Sequence, residues 1–454
     1  MSKINLFIYR NLLEDELFMQ ILAFIEKYDN DAPIEELQDD FKELFASLAE
    51  FGEHYGMHGH LVNCYIAYLL ATGENVFSKG CEIVGVRKST VFELAELDFE
   101  ELKRILDFKW WEVPGKIGLP CNYYSSLLLN FQNMGEESKV FNHRIRDRIC
   151  ELAVAIEKAE YSHYALGETV RFYMEFGVGE FGLNKAFRIV HPEGQEARLE
   201  PVSATEHVYF SELIGYERQK KMLRDNTESF LAGGPANNCL LYGDAGTGKS
   251  SSVKALLNEY YDRGLRMIEV YKHQFRDLPM VISAVKNRNY KFIIFMDDLS
   301  FEEFEIEYKY LKAVIEGGLE KKPDNVLIYA TSNRRHLIRE KWSDKNEQED
   351  DLHRTDTVQE KQSLVARFGV QIYYGRPEPK EFKTIVKELA KEAGIDMPEE
   401  ELLLAANRWE LNHGGLSGRC ARQFIQDLQG KRFLECMQSQ ESEPFDEPEQ
   451  TEEY

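Results

Sequence analysis

Apolar residues recur at helical spacing through the first half of the chain. Leu13, Leu17, Phe18, Ile21, Leu22 and Ile25 fall on one face of a 3.6-residue period, as do Leu37, Phe41, Leu44, Phe45 and Leu48. Thr90 with Glu93 predicts a capping box, Asp98 predicts a cap for a helix carrying Leu102 and Ile105, and a further helix is expected over 145–159. Residues 1–200 therefore read as a mostly helical domain with an aromatic-rich core. At its end, two short runs at 187–190 and 197–202 flank HPEGQE, which predicts a hairpin leading into the next domain.

From Tyr209 the pattern changes. A polar helix is expected at 216–231, followed by an apolar run, Cys239 to Tyr242, that opens into a glycine-rich turn and another helix. Strands are then expected at 267–271, 291–296, 326–330 and 370–374, with helices at 278–286 and 305–317 between them. Five strands separated by helices predict a parallel α/β sheet over residues 201–377, with ligands at the C-terminal ends of the strands. Three helical stretches, 379–393, 398–411 and 417–436, read as a small lid over 378–436. Residues 437–454 are acidic, lack basic residues and contain Pro444 and Pro448, which predicts a disordered tail.

Charge and cysteine content narrow the classes open to such a chain. Its 79 acidic and 55 basic residues give a formal net charge of -24, which argues against an electrostatic grip by the whole molecule on nucleic acid or an anionic membrane. Seven scattered cysteines without a C-x-x-C pair read as reduced, buried side chains of a cytoplasmic protein. Acidic residues come too early for a signal peptide, and no apolar run approaches the roughly 20 residues that span a bilayer.

The chemistry concentrates at GDAGTGKS, Gly243 to Ser250. Glycines let backbone N–H groups turn inward around phosphate oxygens, and the helix that follows points its N-terminal dipole at the same anion. Gly243, Asp244, Ala245, Gly246, Thr247, Gly248, Lys249, Ser250 and Ser251 thus form a candidate phosphate loop for ATP. Lys249 reaches the β- and γ-phosphates, and the Ser250 hydroxyl ligates Mg²⁺. The strand FIIFMDD supplies its partner: Asp297 for the same Mg²⁺ and Asp298 to orient and polarise the attacking water. Glu302 and Glu303 are weaker candidates for the base. Asn333, at the end of the following strand, is placed to position that water, while Thr331 and Ser332 can simply close the strand end.

Two other patterns fail on context. His54, His58 and His60 in HYGMHGH are separated by Gly56 and Gly59, which break any helix that would align the imidazoles. Gly177, Gly179 and Gly182 match the spacing of a dinucleotide fingerprint, but a strand and a turn follow them instead of a phosphate-binding helix.

Taken together, residues 205–436 resemble an AAA+ ATPase. Leu213, Ile214 and Gly215 resemble the adenine-side segment, GDAGTGKS resembles Walker A, FIIFMDD Walker B, and Asn333 sensor 1. The resemblance implies that Ile214 and Gly215 contact the nucleotide. It also implies that Arg367 of ARFG is an arginine finger, and that Arg419 of GLSGRCARQF is sensor 2, with Arg422 as the fallback. The run from Leu213 to Ser251 is closer still to the uncharacterised bacterial ATPases of domain of unknown function 815. Asp298 stands where most AAA+ proteins carry Glu, which implies slow turnover. The long acidic segment around 344–356 is expected to be an insertion.

Such ATPases imply a homo-oligomer that remodels or loads a macromolecular client, recognised here by the helical domain. A helicase-loader or initiator-like ATPase working on protein–DNA complexes is the alternative, with Arg218, Lys220, Lys221 and Arg224, or Arg334, Arg335 and Arg339, near phosphates. A slow nucleotide-controlled interaction switch is a third reading. The segment after the second strand, YKHQFRDLPMVISAV, lacks the aromatic–glycine pair of a threading pore loop.

Overall fold

The structure is a computed structural model that describes residues 4–85, 87–134, 143–202, 205–301, 307–316, 323–334 and 364–441. Glu302, Glu303, Arg335, Arg339, the 344–356 segment and residues 442–454 lie outside the described residues.

Seven strands are described: β1 (Ala186–Val190), β2 (Arg198–Pro201), β3 (Cys239–Gly243), β4 (Leu265–Glu269), β5 (Lys291–Met296), β6 (Val326–Ser332) and β7 (Val370–Tyr374). They form one sheet in the order β2-β1-β4-β5-β6-β3-β7. The α/β class expected from the sequence holds, but the expected count of five strands is corrected to seven, because the hairpin β1–β2 joins the sheet. That hairpin is antiparallel, with Phe187 opposite Pro201 and Val190 opposite Arg198. β3 pairs in parallel with both β6 and β7, so the strand leading into the glycine-rich loop is flanked on each side. Every residue of β6 is buried, as expected of a strand covered on both faces.

By packing, the chain divides into two units. The first comprises Met1–Thr205, Arg266–Ile268 and Met280–Phe292. Its core is aromatic: Trp110 is fully buried and stacks on Phe24 at 5.8 Å, and Tyr9 meets Phe99 edge-on at 5.6 Å. Local signals were displaced by a residue or reassigned here. The helix Thr90–Leu106 is capped by Ser89, not Thr90, through the Phe92 N–H at 3.3 Å. Asp98 caps nothing in its own helix. Fully buried inside it, its carboxylate accepts the N–H groups of Phe7, Ile8 and Tyr9 at 2.7, 2.7 and 2.9 Å. The glycines at 177 and 179 are explained by packing. Both have positive φ, and a Cβ would lie 1.5 Å from the Tyr290 hydroxyl at Gly177 and 2.2 Å from Glu74 Oε1 at Gly179. His60 caps the helix Leu61–Thr72, accepting from the Asn63 N–H at 3.4 Å, while His58 Nδ1 lies 3.7 Å from Cys150 Sγ.

A buried ion pair holds this unit together. Arg288 grips Glu82 with Nε and Nη2, each at 2.8 Å, binds Glu74 through Nη1 at 2.7 Å, and donates to the Val178 carbonyl at 2.6 Å. Glu82 also accepts the Val178 N–H at 3.1 Å. Both side chains are almost wholly inaccessible. Removing one partner strands the other charge in a medium that cannot solvate it, at a cost of about 3–5 kcal/mol. Arg288→Met is therefore expected to lower stability in a urea titration by about that amount, and Glu82→Gln in the same background to restore part of it.

The second unit comprises Glu206–Leu265, Glu269–Pro279 and Ile293–Tyr454. It carries the phosphate-loop helix Lys249–Tyr260 and three lid helices, Pro379–Glu392, Glu399–Asn412 and Gly418–Glu441. The lid has its own core, in which Phe382, Ile385, Val386 and Leu389 of the first helix pack with Ala421, Phe424 and Ile425 of the third. The phosphate-loop strand thus lies between two parallel neighbours, and three helices follow the last strand.

Candidate functional site

The loop after β3 has glycine where backbone shape demands it. Gly243 has φ of 135°, and a Cβ there would lie 2.1 Å from the Tyr374 carbonyl of β7. Gly246 and Gly248 have φ of 76° and 91°, the left-handed conformation that turns successive N–H groups to one side. Tyr374 then pins the following helix to the sheet, its hydroxyl donating to Ser252 Oγ at 3.1 Å.

The C-terminal ends of β5, β6 and β3 are adjacent in the sheet, and that adjacency assembles the polar groups. Lys249 Nζ donates to the carbonyls of Gly243 and Asp244 at 3.1 and 2.6 Å and to Asn333 Oδ1 at 3.0 Å. Asn333 Nδ2 in turn donates to Asp298 Oδ1 at 2.8 Å. Ser250 Oγ donates to Asp297 Oδ1 at 2.5 Å, which brings side by side the hydroxyl and the carboxylate that would hold a cation. These residues fit Mg²⁺: a hydroxyl and a carboxylate are hard oxygen donors, and they stand beside a loop shaped for phosphate.

Thr331 organises the acidic pair, a larger role than its place at a strand end implies. Its buried hydroxyl donates to Asp297 and accepts the Asp298 N–H at 2.9 Å, and its carbonyl accepts the Leu299 N–H at 2.7 Å. Asp298 is thereby held with φ of 50°, a left-handed conformation that aspartate tolerates better than most residues. Lys249 is 6% exposed, not the projecting loop side chain its motif suggests. Burial pushes its ammonium below the ordinary lysine value, against the pull of Asp298, Asp244 and Asp297, with Arg419 adding to the depression.

These groups line a cavity of about 600 Å³. Ile214, Gly215, Ala245 to Ser251, Asp297, Asp298, Asn333 and Arg419 all border it. Arg422 borders it too, and donates to the Glu212 carbonyl at 3.3 Å. Gly243, Asp244 and Arg367 do not. Gly243 and Asp244 shape the loop from behind, where Asp244 pairs with Arg376 at 3.4 Å. Arg367 sits in the turn before β7, its N–H bonded to the Leu364 carbonyl at 3.3 Å. The apolar wall made by Ile385 and Leu389, together with Tyr216, was missed from sequence. The lid meets the loop through the Arg419 N–H, which donates to the Gly246 carbonyl at 3.2 Å.

Two of the four basic residues near 220 are committed internally, while Arg218 and Lys221 are exposed. Lys220 is buried, with its ammonium on the Leu213 carbonyl and paired with Glu217 at 2.6 Å, and Arg224 pairs with Glu259 at 2.9 Å.

Among the described residues no helix is long and apolar enough to cross a membrane. No curated protein matches the sequence. Among solved structures, a mutant RuvB from Thermotoga maritima is similar over 50% of this chain at 14% identity and a TM-score of 0.37, and the chain spans 66% of that protein's length. The FIGL-1 AAA domain in complex with ADP is similar over 53% of this chain and 79% of its own, at 17% identity and a TM-score of 0.37. A family model described as protein of unknown function (DUF815) matches residues 183–432, more than half of the chain, which takes in the hairpin, the phosphate loop and most of the lid. The chain belongs to that family.

Proposed function

We propose that this protein binds Mg-ATP in the cavity of its second unit, hydrolyses it, and works as a homo-oligomer that remodels or loads a macromolecular client. The observation that carries the reading is the convergence of Lys249, Ser250, Asp297, Asp298 and Asn333 through contacts of 2.5–3.0 Å at the mouth of the phosphate loop. A structural ion cluster has no need of a left-handed glycine loop beside it.

Each residue then has a task. The loop amides and Lys249 hold the β- and γ-phosphates, and Ser250 and Asp297 hold Mg²⁺. Mg²⁺ held there would supply charge neutralisation at the phosphate oxygens. Asp298 accepts the proton of the attacking water. Asn333 already donates to Asp298 Oδ1, which leaves Oδ2 for that water. Arg419, at the start of the third lid helix, couples phosphate charge to lid position. The internal use of Lys220 and Arg224 favours a protein client over a DNA grip at that stretch.

Asp298→Asn tests the catalytic half of this reading. The substitution keeps size and still accepts from Asn333, but it removes the basic oxygen. Mg-ATP affinity should stay within about threefold while kcat falls about 10²–10⁴-fold, the usual contribution of a general base. Steady-state phosphate release with parallel binding titrations measures both. Unchanged turnover would move the base elsewhere.

A further inference from the structure

The third lid helix runs along the cavity. Arg419, Arg422, Gln423 and Gln426 all border it, and their spacing of three, four and seven residues places them on one helical face. With a rise of 1.5 Å per residue, Gln426 stands about 10 Å beyond Arg419 along the axis. Two contacts fix the direction. The Arg419 N–H meets the Gly246 carbonyl in the phosphate loop, and one turn on, the Arg422 guanidinium meets the Glu212 carbonyl. Glu212 begins the segment through Tyr216 that lines the cavity, and by these two contacts it meets the helix one turn further from the phosphate loop. Gln426 lies a further turn along the same face, and Ile214, packed on the lid core with Ile385 and Leu389, gives the cavity apolar walls on the side of that segment.

Apolar walls accept the face of any nucleobase and cannot tell one base from another. Discrimination needs hydrogen-bonding groups at the base edge. We propose, on the reading of this cavity as a nucleotide site, that Gln426 reads that edge and selects adenine over guanine. A glutamine amide offers one acceptor and one donor side by side. Adenine presents the N6 amino donor beside the N7 acceptor, which satisfies both groups at once. Guanine presents O6 and N7, two acceptors in the same places, so one side of the amide faces a lone pair.

The test is calorimetric titration of the full-length protein with Mg²⁺ and the non-hydrolysable β,γ-imido analogues of ATP and GTP. Wild type should bind the adenine analogue at least about tenfold more tightly, in keeping with one bidentate base contact. Gln426→Ala should lose most of that ratio by weakening the adenine analogue alone. Gln426→Arg replaces the amide with donors only, suited to the O6 and N7 acceptors that guanine presents at the same edge, so the ratio should move towards the guanine analogue. A purely structural glutamine cannot produce that reversal. A wild type that does not distinguish the analogues, or a ratio unmoved in both variants, overturns the proposal. A wild type that binds neither analogue overturns the nucleotide reading itself, and with it this one.

Discussion

Lys249→Ala is expected to reduce Mg-ATP affinity by at least about a hundredfold and to abolish hydrolysis, while circular dichroism and the thermal midpoint change little. The ammonium spans the Gly243 and Asp244 carbonyls and Asn333, at the point where the glycine loop opens. Desolvation already works against its charge, so the side chain is held in readiness for a strong anionic partner. A charge-assisted contact to phosphate in this partly buried setting is worth far more than one in water. The alanine variant frees two loop carbonyls that water can reach, which keeps the cost to the fold small. Undiminished binding would sink the phosphate-loop assignment, and with it the roles given to Ser250 and Asp297.

What the sequence revealed and what it concealed follow the range of the interactions concerned. β5 was legible because the apolar run 292–296 ends at Asp297 and Asp298, and β7 because Val370, Ile372 and Tyr374 alternate along a short β-rich run closed by Gly375. The lid helices were legible for the same local reason. The hairpin at 186–201 was also visible, but not its membership in the sheet, since strand order is set by pairing between segments far apart in sequence. Thr331 shows the same limit at the site. Only the adjacency of β5 and β6 brings its hydroxyl onto Asp297 and the Asp298 amide. Ile385 and Leu389 lie within the helix expected at 379–393, yet a local pattern cannot say that part of its apolar face borders a cavity. Asp98 was misread because an acidic residue early in an apolar stretch looks like a cap. Its actual partners, the amides of Phe7 to Tyr9, are about 90 residues away.

Arg367→Ala is expected to spare ATP binding, depress hydrolysis by about 10³-fold and weaken ATP-dependent assembly, because a finger arginine stabilises transition-state charge in a neighbouring subunit's site. Arg367 does not border the cavity of its own chain, so a catalytic role for it requires another copy. Mixing separates this role from a structural one. An Arg367→Ala subunit keeps a working phosphate loop, and a Lys249→Ala subunit keeps a working finger. Wherever the first presents its nucleotide to the second, one complete site is rebuilt. With random assembly from equal amounts in a head-to-tail ring, about a quarter of the interfaces have that arrangement. Two nearly inactive preparations should therefore recover up to about a quarter of the wild-type rate on mixing, provided co-assembly is verified by differently tagged subunits. An arginine acting within its own chain, or one that only shapes the turn before β7, gives no such recovery. Co-assembled mixtures that remain as slow as their components would rule out the shared site and leave each subunit to hydrolyse ATP with the residues of its own cavity.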